Sequence, residues 1–200
     1  PLPRKTQDEI FLWDSTRFQS VAHPVGDGSH FLHIDVLYLH SGRGPDDRRD
    51  NTRLLAAYFR VAEARGEVPS ILCTDLNDDP DTQPEIREAI RKGWADAARL
   101  QEAEDGEAPL PTYSLNSTWR KGAANVTRID IHLLSPEAVP LFRGFTLLET
   151  PSVKQHRQLV TRLGVDMVEQ EVTVLKQPRA YPVKDMICMN EEDEEQMAQD

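Results

Sequence analysis

The fold is decided by the stretch Ile71-Leu72-Cys73-Thr74-Asp75-Leu76-Asn77, which runs into Asp78-Asp79-Pro80. Its first part is short, apolar and bounded by Pro69 and Pro80, which predicts a buried strand. Side chains alternate across a strand, so Asp75 and Asn77 are expected on one face with Ile71 and Cys73. A carboxylate and a carboxamide at the C-terminal edge of a buried strand suit ligand binding at the mouth of an α/β sheet. The alternative is that Asp75 and Asn77 only cap the turn that follows.

Helix and strand patterns alternate on both sides of this stretch. Residues 46–65 carry apolar side chains at helical spacing, and residues 31–40 form a long strand pattern that ends at His40. The other predictions are strands at 9–14, 17–21, 126–134, 142–148 and 157–164, a helix at 84–92, and an acidic loop at 101–111. The alternation predicts a layered α/β fold in which helices flank the strands.

Charge and composition restrict the class of protein. The chain has 200 residues and a net charge of −11, and seven acidic residues lie in 185–200 without a lysine or arginine. Residues 1–184 therefore carry only −4, and there is no broad basic field of the kind that strong sequence-independent nucleic-acid binders show. The sequence has no long apolar run and no signal peptide, so we expect no membrane insertion. Cys73 and Cys188 are far apart, which favours free thiols and an intracellular location, in the nucleus or cytoplasm.

The apolar periodicity fades after residue 165. We therefore expect one folded domain over 1–165 and a connector with an acidic, disordered tail over 166–200, as if a further domain followed. The chain starts at Pro1 in what reads as the middle of a fold, so the fold is expected to be incomplete at its N-terminus.

Five motifs follow one another in a recognisable order. They are Glu9 to Val21, Leu37-Tyr38-Leu39-His40-Ser41, Cys73-Thr74-Asp75-Leu76-Asn77-Asp78-Asp79-Pro80, Thr118-Trp119 with Arg128-Ile129-Asp130, and Gln155-His156-Arg157-Gln158-Leu159-Val160. They resemble the W-x-x-x-R-F hairpin, the His- or Tyr-bearing strand, and the G-D-F-N-x-x-P, T-W…R-I-D-Y and S-D-H-x-P-V elements of the endonuclease/exonuclease/phosphatase, or DNase-I-like, superfamily. The resemblance implies a two-sheet α/β sandwich with its helices outside.

The resemblance also implies catalytic roles for His40, Asp75, Asn77, Asp130 and His156. Asp75 would orient or deprotonate the attacking water and bind a divalent cation, Mg²⁺ or Mn²⁺. Asn77 would bind the phosphoryl group or hold that water, and His40 would be a second phosphate-facing or acid/base group. His156 would contact a non-bridging phosphate oxygen, while Asp130 fixes its tautomer and keeps it cationic.

Each of these residues also has a simpler interpretation. His40 at the end of a strand is often a half-buried structural histidine, and His156 lies between Lys154 and Arg157 as many surface residues do. Asp130 could form a surface ion pair with Arg128. It is the common order of the motifs that favours the functional interpretation.

The sequence departs from the family pattern at several positions. The Gly of G-D-F-N is Thr74, the Tyr of R-I-D-Y is His132, and the acidic residue before the last His is Gln155. The metal-binding Glu of the family lies further upstream than any residue of this chain. A neutral side chain at 155 and the missing Glu both weaken the predicted metal site, which leaves two interpretations: a truncated piece of a nuclease, and a decayed family member.

The function expected from the resemblance is a divalent-metal-dependent phosphodiesterase, most specifically a nuclease such as the endonuclease domain of a non-LTR retroelement. Arg120, Lys121 and Arg128 would then contact the nucleic-acid backbone. Deadenylase-like and phosphoinositide-phosphatase-like activities are the enzymatic alternatives. The alternative of another class is a non-catalytic binding or scaffold module, or a retroelement relic.

Overall fold

The computed structural model describes residues 6–25, 30–41, 44–114, 126–148, 155–165 and 168–174. The helices are α1 (Gln7–Asp14), α2 (Pro45–Ala64), α3 (Pro84–Arg91) and α4 (Ala97–Asp105), with a 3₁₀ turn at Val139–Leu141. The strands are β1 (Phe18–Val25), β2 (His30–Tyr38), β3 (Ser70–Asp75), β4 (Ala95–Asp96), β5 (Tyr113–Ser114), β6 (Val126–Thr127), β7 (Asp130–Leu134), β8 (Phe142–Leu148), β9 (Gln158–Val165) and β10 (Val168–Val174).

The main sheet has five strands in the order β1-β2-β3-β7-β4. β2 and β3 are parallel and α2 is the crossover between them, whereas the other pairs are antiparallel. β3 is buried along its whole length, as its apolar composition predicts. The C-terminal ends of β2 and β3 and the start of β7 therefore meet at one edge of the sheet, where Tyr38, Asp75 and Asp130 are in register.

Two apolar clusters lie on the two faces of this sheet. On one face, α2 packs Leu54, Leu55 and Tyr58 against sheet residues that include Leu72 and Ile131. On the other face, a second cluster joins side chains of both sheets, among them Leu32, Leu134 and Leu163. The second sheet has the order β10-β9-β8, and β5 and β6 form a separate two-stranded sheet. The two larger sheets with their helices agree with the α/β sandwich that the resemblance implies.

The prediction of a strand over residues 9–14 is wrong, because these residues form α1. The Thr6 hydroxyl accepts a hydrogen bond from the Glu9 backbone N–H at 3.2 Å, and the Glu9 carboxylate accepts one from the Thr6 N–H at 2.6 Å. This capping box satisfies two N-terminal donors, and Asp8 and Glu9 add negative charge at the positive end of the helix. β1 consequently pairs with β2 rather than with the preceding segment.

Two further segments differ from the predicted elements. The acidic loop predicted over 101–111 is helical up to Asp105, because Asp96 caps α4 at its N-terminus and Gly106 ends it with a left-handed φ of 76°. Beyond residue 165, the expected end of the domain, β10 pairs with β9 in an antiparallel ladder. In the part of the chain that the structure describes, no helix is both long and apolar enough to cross a membrane.

Candidate active site at the edge of the main sheet

Two buried carboxylates face each other where β3 ends and β7 begins. Asp75 and Asp130 are direct partners in the antiparallel ladder, and their exposed fractions are only 4% and 3%. Directly opposite residues in such a ladder have Cα atoms about 4.5–5.5 Å apart and side chains on the same face. The fold therefore brings together two acids that are 55 positions apart in the sequence.

Asn77 anchors the loop that follows β3. Its backbone N–H donates to Asp75 Oδ1 at 3.0 Å, and its side-chain Nδ2 donates to the Leu39 carbonyl at 3.0 Å. Asn77 has a left-handed φ of 52°, so the strand alternation has ended and the expectation that it continues the face of Asp75 is wrong. Asp75 therefore caps the turn after β3, as the alternative interpretation of the sequence expects. This turn lies at the same edge of the sheet as the candidate acids.

His156 is placed against Asp130. Its Nδ1 lies 3.2 Å from Asp130 Oδ2, and 13% of its side chain is exposed. The Tyr113 ring packs on the imidazole with 4.8 Å between ring centroids. A carboxylate at Nδ1 fixes the ring orientation and directs Nε2 to the opposite side. The pair predicted from the motif order is therefore formed.

Thr112 connects the segment around His156 to the start of β7. Its hydroxyl accepts hydrogen bonds from the backbone N–H groups of Ile129 and Asp130 at 3.1 and 3.0 Å. Its own carbonyl accepts from the Arg157 N–H at 2.8 Å. The sequence analysis did not single out Thr112, because the presence of a threonine at this position carries no signal of these long-range bonds.

His40 lies two residues beyond β2 and is half-buried. Its neighbour Leu39 donates a backbone hydrogen bond to the Asp75 carbonyl at 3.1 Å, so His40 is close to the two acids along the same edge. The main chain of His40 is bound by the side chain of Asn51 from α2. Sequence analysis missed Asn51, although an asparagine on the apolar stripe of a helix, with Leu54, Leu55 and Tyr58, was a usable signal.

The three basic residues expected to bind substrate have different outcomes. Arg120 and Lys121 lie outside the described residues. Arg128 is mostly buried, forms an ion pair with Asp96 and lies 3.8 Å from Asp81. This pairing ties the chain before β7 to the start of α4, so the geometry favours a structural role for Arg128.

The described residues do not by themselves fit a divalent metal. Mg²⁺ and Mn²⁺ require several oxygen ligands in a near-octahedral arrangement. Asp75 remains the candidate ligand, but among the residues described here no three His, Cys, Asp or Glu side chains converge closely enough to hold an ion. We therefore assign no chemical step to a metal.

The face of the sheet beneath the site carries uncharged groups. Burial lowers the pKa of His132 from 6.5 to about 4, so its ring is neutral near pH 7, and its Nδ1 lies 2.8 Å from the Thr161 hydroxyl of β9. Burial also raises the pKa of the Cys73 thiol, which stays protonated. Cys73 and His132 line a small cavity of about 40 Å³ together with Asp75, Asp130 and Arg157.

A larger cavity of about 660 Å³ lies elsewhere, between α2 and α3 at the N-terminal end of β3. Its basic residues are engaged with acids: Arg60 with Asp8, Arg91 with Glu88, and Lys92 with Glu63. Of the predicted site residues that the structure describes, none lines this cavity. The chemistry-bearing residues therefore gather at the opposite end of β3.

Comparisons with known proteins give matches in structure alone. No protein-family model matches the chain, and no curated protein sequence matches it. The fold is similar to the endonuclease domain of TRAS1, a telomere-specific non-LTR retrotransposon, with a TM-score of 0.52 and 15% identity over 75% of this chain and 64% of that one. It is similar to the 3'-5' exonuclease NExo from Neisseria meningitidis, with a TM-score of 0.53 and 15% identity over 72% of this chain and 64% of that one.

An AP endonuclease from Archaeoglobus fulgidus is a third similar structure, with a TM-score of 0.52 and 15% identity over 74% of this chain and 65% of that one. The chain thus spans about two-thirds of the length of these structures. At this level of identity the likeness concerns the fold, and it agrees with the order of motifs and with the two-sheet architecture. The chain therefore has the fold of the endonuclease/exonuclease/phosphatase, or DNase-I-like, superfamily that its sequence resembles.

Proposed function

We propose that the protein is a phosphodiesterase that hydrolyses nucleic acid. The observation that carries the proposal is the pairing of His156 with Asp130 directly beside Asp75. A carboxylate-oriented imidazole next to a second carboxylate supplies the two functions that phosphate-ester hydrolysis needs, a group for the attacking water and a group for the charge on phosphorus.

The proposed reaction is in-line attack of water on the phosphorus atom. Asp75 orients the water and accepts its proton as the new P–O bond forms. The bond to the leaving oxygen breaks on the opposite side of the phosphorus, and that oxygen takes a proton from solvent water. His156 donates a hydrogen bond from Nε2 to a non-bridging phosphate oxygen, and Asp130 holds the ring in this orientation through Nδ1. Asn77 holds the loop beside Asp75 through its bond to Leu39, and His40 is the second phosphate-facing group.

Nucleic acid as the substrate is supported by the similar structures. These are an endonuclease domain, an exonuclease and an AP endonuclease. Arg120 and Lys121 belong to this proposal as contacts to the phosphate backbone. A retroelement endonuclease is the most specific form of the proposal, since one of these similar structures is the endonuclease domain of a non-LTR retrotransposon.

The test is hydrolysis of supercoiled plasmid DNA, single-stranded RNA and a phosphoinositide, each with Mg²⁺, with Mn²⁺ and with EDTA. Asp75→Asn and His156→Ala are each expected to lower the rate about 10²-fold or more, because each removes a group that acts in the transition state. Glu67→Gln is the matched control, since it removes one exposed carboxylate near the opposite end of β3. It is expected to leave the rate unchanged.

Equal rates for the wild type and Asp75→Asn would remove Asp75 from the mechanism. Cleavage of the phosphoinositide alone would replace nucleic acid by a lipid phosphate as substrate. Activity in EDTA equal to that in Mg²⁺ would contradict the metal dependence expected from the family.

The second candidate function is a non-catalytic binding module of the same fold. It is favoured by the neutral Gln155 and by the lack of a three-residue metal cluster among the described residues. This candidate predicts no hydrolysis in any of the assays together with retained binding to nucleic acid. Measuring plasmid and RNA binding by fluorescence anisotropy in the same buffers separates the two candidates.

A further inference from the structure

Asn51 is an unusual residue for its position in α2. It is the seventh residue of a twenty-residue helix and only 6% exposed, on the side that packs against the main sheet. Asparagine is a weak helix former and is normally found on the surface. Neither helix propensity nor burial of apolar surface explains why this position carries a polar amide.

Its contacts give the explanation. Asn51 Oδ1 accepts a hydrogen bond from the His40 backbone N–H at 2.7 Å, and Nδ2 donates to the His40 carbonyl at 3.0 Å. One side-chain amide thus binds both main-chain groups of one residue, in the way that a neighbouring strand would. β2 ends at Tyr38, so at His40 the Asn51 amide takes over the role of the strand ladder.

The rest of the His40 segment is tied to Asp75 at the end of β3 and to Asn77 in the loop that follows it. The Leu39 N–H donates to the Asp75 carbonyl, and the Leu39 carbonyl accepts from Asn77 Nδ2. Leu39 is therefore fixed relative to Asp75, and Asn51 extends this fixation by one residue to His40. The direction of the His40 side chain from its Cα depends on both anchors.

We propose that Asn51 is a positioning residue that sets the orientation of His40 relative to Asp75. This inference rests on the proposed function, in which His40 faces the substrate phosphate. It assigns to α2, which is otherwise the packing helix of the main sheet, a direct part in the geometry of the active site.

The kinetic test is a double-mutant cycle with Asn51→Leu and His40→Ala on the phosphodiester substrate that the wild type hydrolyses best. Asn51→Leu is expected to lower kcat about ten-fold and to change KM by less than about three-fold, because binding contacts remain while orientation is lost. In the His40→Ala background the same substitution is expected to change kcat by less than about two-fold. Thr52→Leu, an exposed change at the next position of α2, is the control and should leave kcat unchanged.

Amide hydrogen exchange gives a readout that does not depend on activity. The His40 N–H is expected to exchange at least about ten-fold faster in Asn51→Leu than in the wild type, since its acceptor is removed. Asn51→Asp keeps an acceptor for this N–H and loses the donor to the carbonyl, so it should preserve most of the protection. If Asn51→Leu does not fold, Asn51→Asp enters the cycle in its place, with a smaller loss of kcat expected.

The outcomes separate the inference from the proposed function. Unchanged exchange of the His40 N–H in Asn51→Leu would refute the contact itself, whether or not the protein is an enzyme. Faster exchange with unchanged kcat, or an equal loss of kcat with and without His40, would refute positioning and leave a stabilising contact. A wild type that hydrolyses none of the substrates would overturn the positioning role together with the proposed function, and the exchange data would still decide the contact.

Discussion

The buried histidine of β7 makes the stability of the protein depend on pH. His132 is 3% exposed and lies 2.8 Å from the Thr161 hydroxyl, and its ring forms a T-shaped pair with the Phe145 ring. Its neutral form is compatible with this apolar layer between the sheets, whereas the imidazolium would be charged and desolvated. Lowering the pH is therefore expected to destabilise the fold, because it protonates His132.

The size of the effect follows from the pKa of His132 in the two states. The folded pKa is lowered from 6.5 to about 4, so below pH 6.5 the unfolded chain binds a proton that the folded protein does not. The stability from this group is complete above pH 6.5 and is lost as the pH falls toward 4. Each pKa unit corresponds to about 1.4 kcal/mol, which gives a loss of about 2 kcal/mol by pH 5 and about 3 kcal/mol in total. Domains of this size have unfolding free energies of about 5–15 kcal/mol, so the loss is large.

The assay is urea unfolding followed by tryptophan fluorescence and far-UV circular dichroism at pH 8, 7, 6 and 5. The wild type is compared with His132→Gln, which has no titrating ring but keeps an amide that can form hydrogen bonds. His132→Gln should be less stable at pH 8, and the gap should narrow by about 2 kcal/mol at pH 5. His23→Gln, on the edge strand β1, is the matched control for replacing a histidine by glutamine.

A gap between the wild type and His132→Gln that stays constant from pH 8 to pH 5 would refute this reasoning. It would mean that His132 binds its proton equally well in the folded and unfolded protein. The other titrating groups, including the acidic residues of 185–200, are the same in both proteins and cancel in the comparison.

Three further changes test separate parts of the structure. Thr112→Val removes the acceptor of two buried backbone N–H groups and should lower the free energy of unfolding in urea titrations by about 2–4 kcal/mol. Thr112→Ser keeps the hydroxyl and should change this free energy little. Equal stability of the two variants would contradict the two hydrogen bonds. Asp35→Ala breaks the buried ion pair with Arg65 and should lower the free energy of unfolding by about 3–5 kcal/mol. Adding Arg65→Met should restore part of this free energy, because it removes the unpaired charge. A decrease below about 1 kcal/mol would show that the pair is solvated. Gln155→Asp should reduce the Mg²⁺ concentration needed for half-maximal hydrolysis about ten-fold, and an unchanged Mg²⁺ titration would show that the neutral amide is not what weakens the expected metal site.

Much of the architecture could be predicted from local patterns. The β3 strand was recognisable because a short apolar run bounded by prolines is typical of a buried strand. Helix α2 was recognisable because its apolar residues repeat at helical spacing. The strand over residues 9–14 was predicted wrongly, because the apolar residues of α1 are consistent with both structures. The deciding factor there is the capping box of Thr6 and Glu9, whose two hydrogen bonds favour the helix.

Local patterns were sufficient to predict the α/β class, the buried strand that ends in Asp75, and the order of motifs that resembles the DNase-I-like superfamily. That resemblance also implied the pairing of His156 with Asp130, which the structure contains. The structure was needed to show that Asp130 lies opposite Asp75, that Arg128 is engaged by Asp96, and that Asn51 binds His40. The physical reason is the separation in sequence between the residues that interact. Strand and helix patterns arise from neighbouring residues, whereas these contacts join segments brought together by strand register, which depends on the packing of the whole sheet.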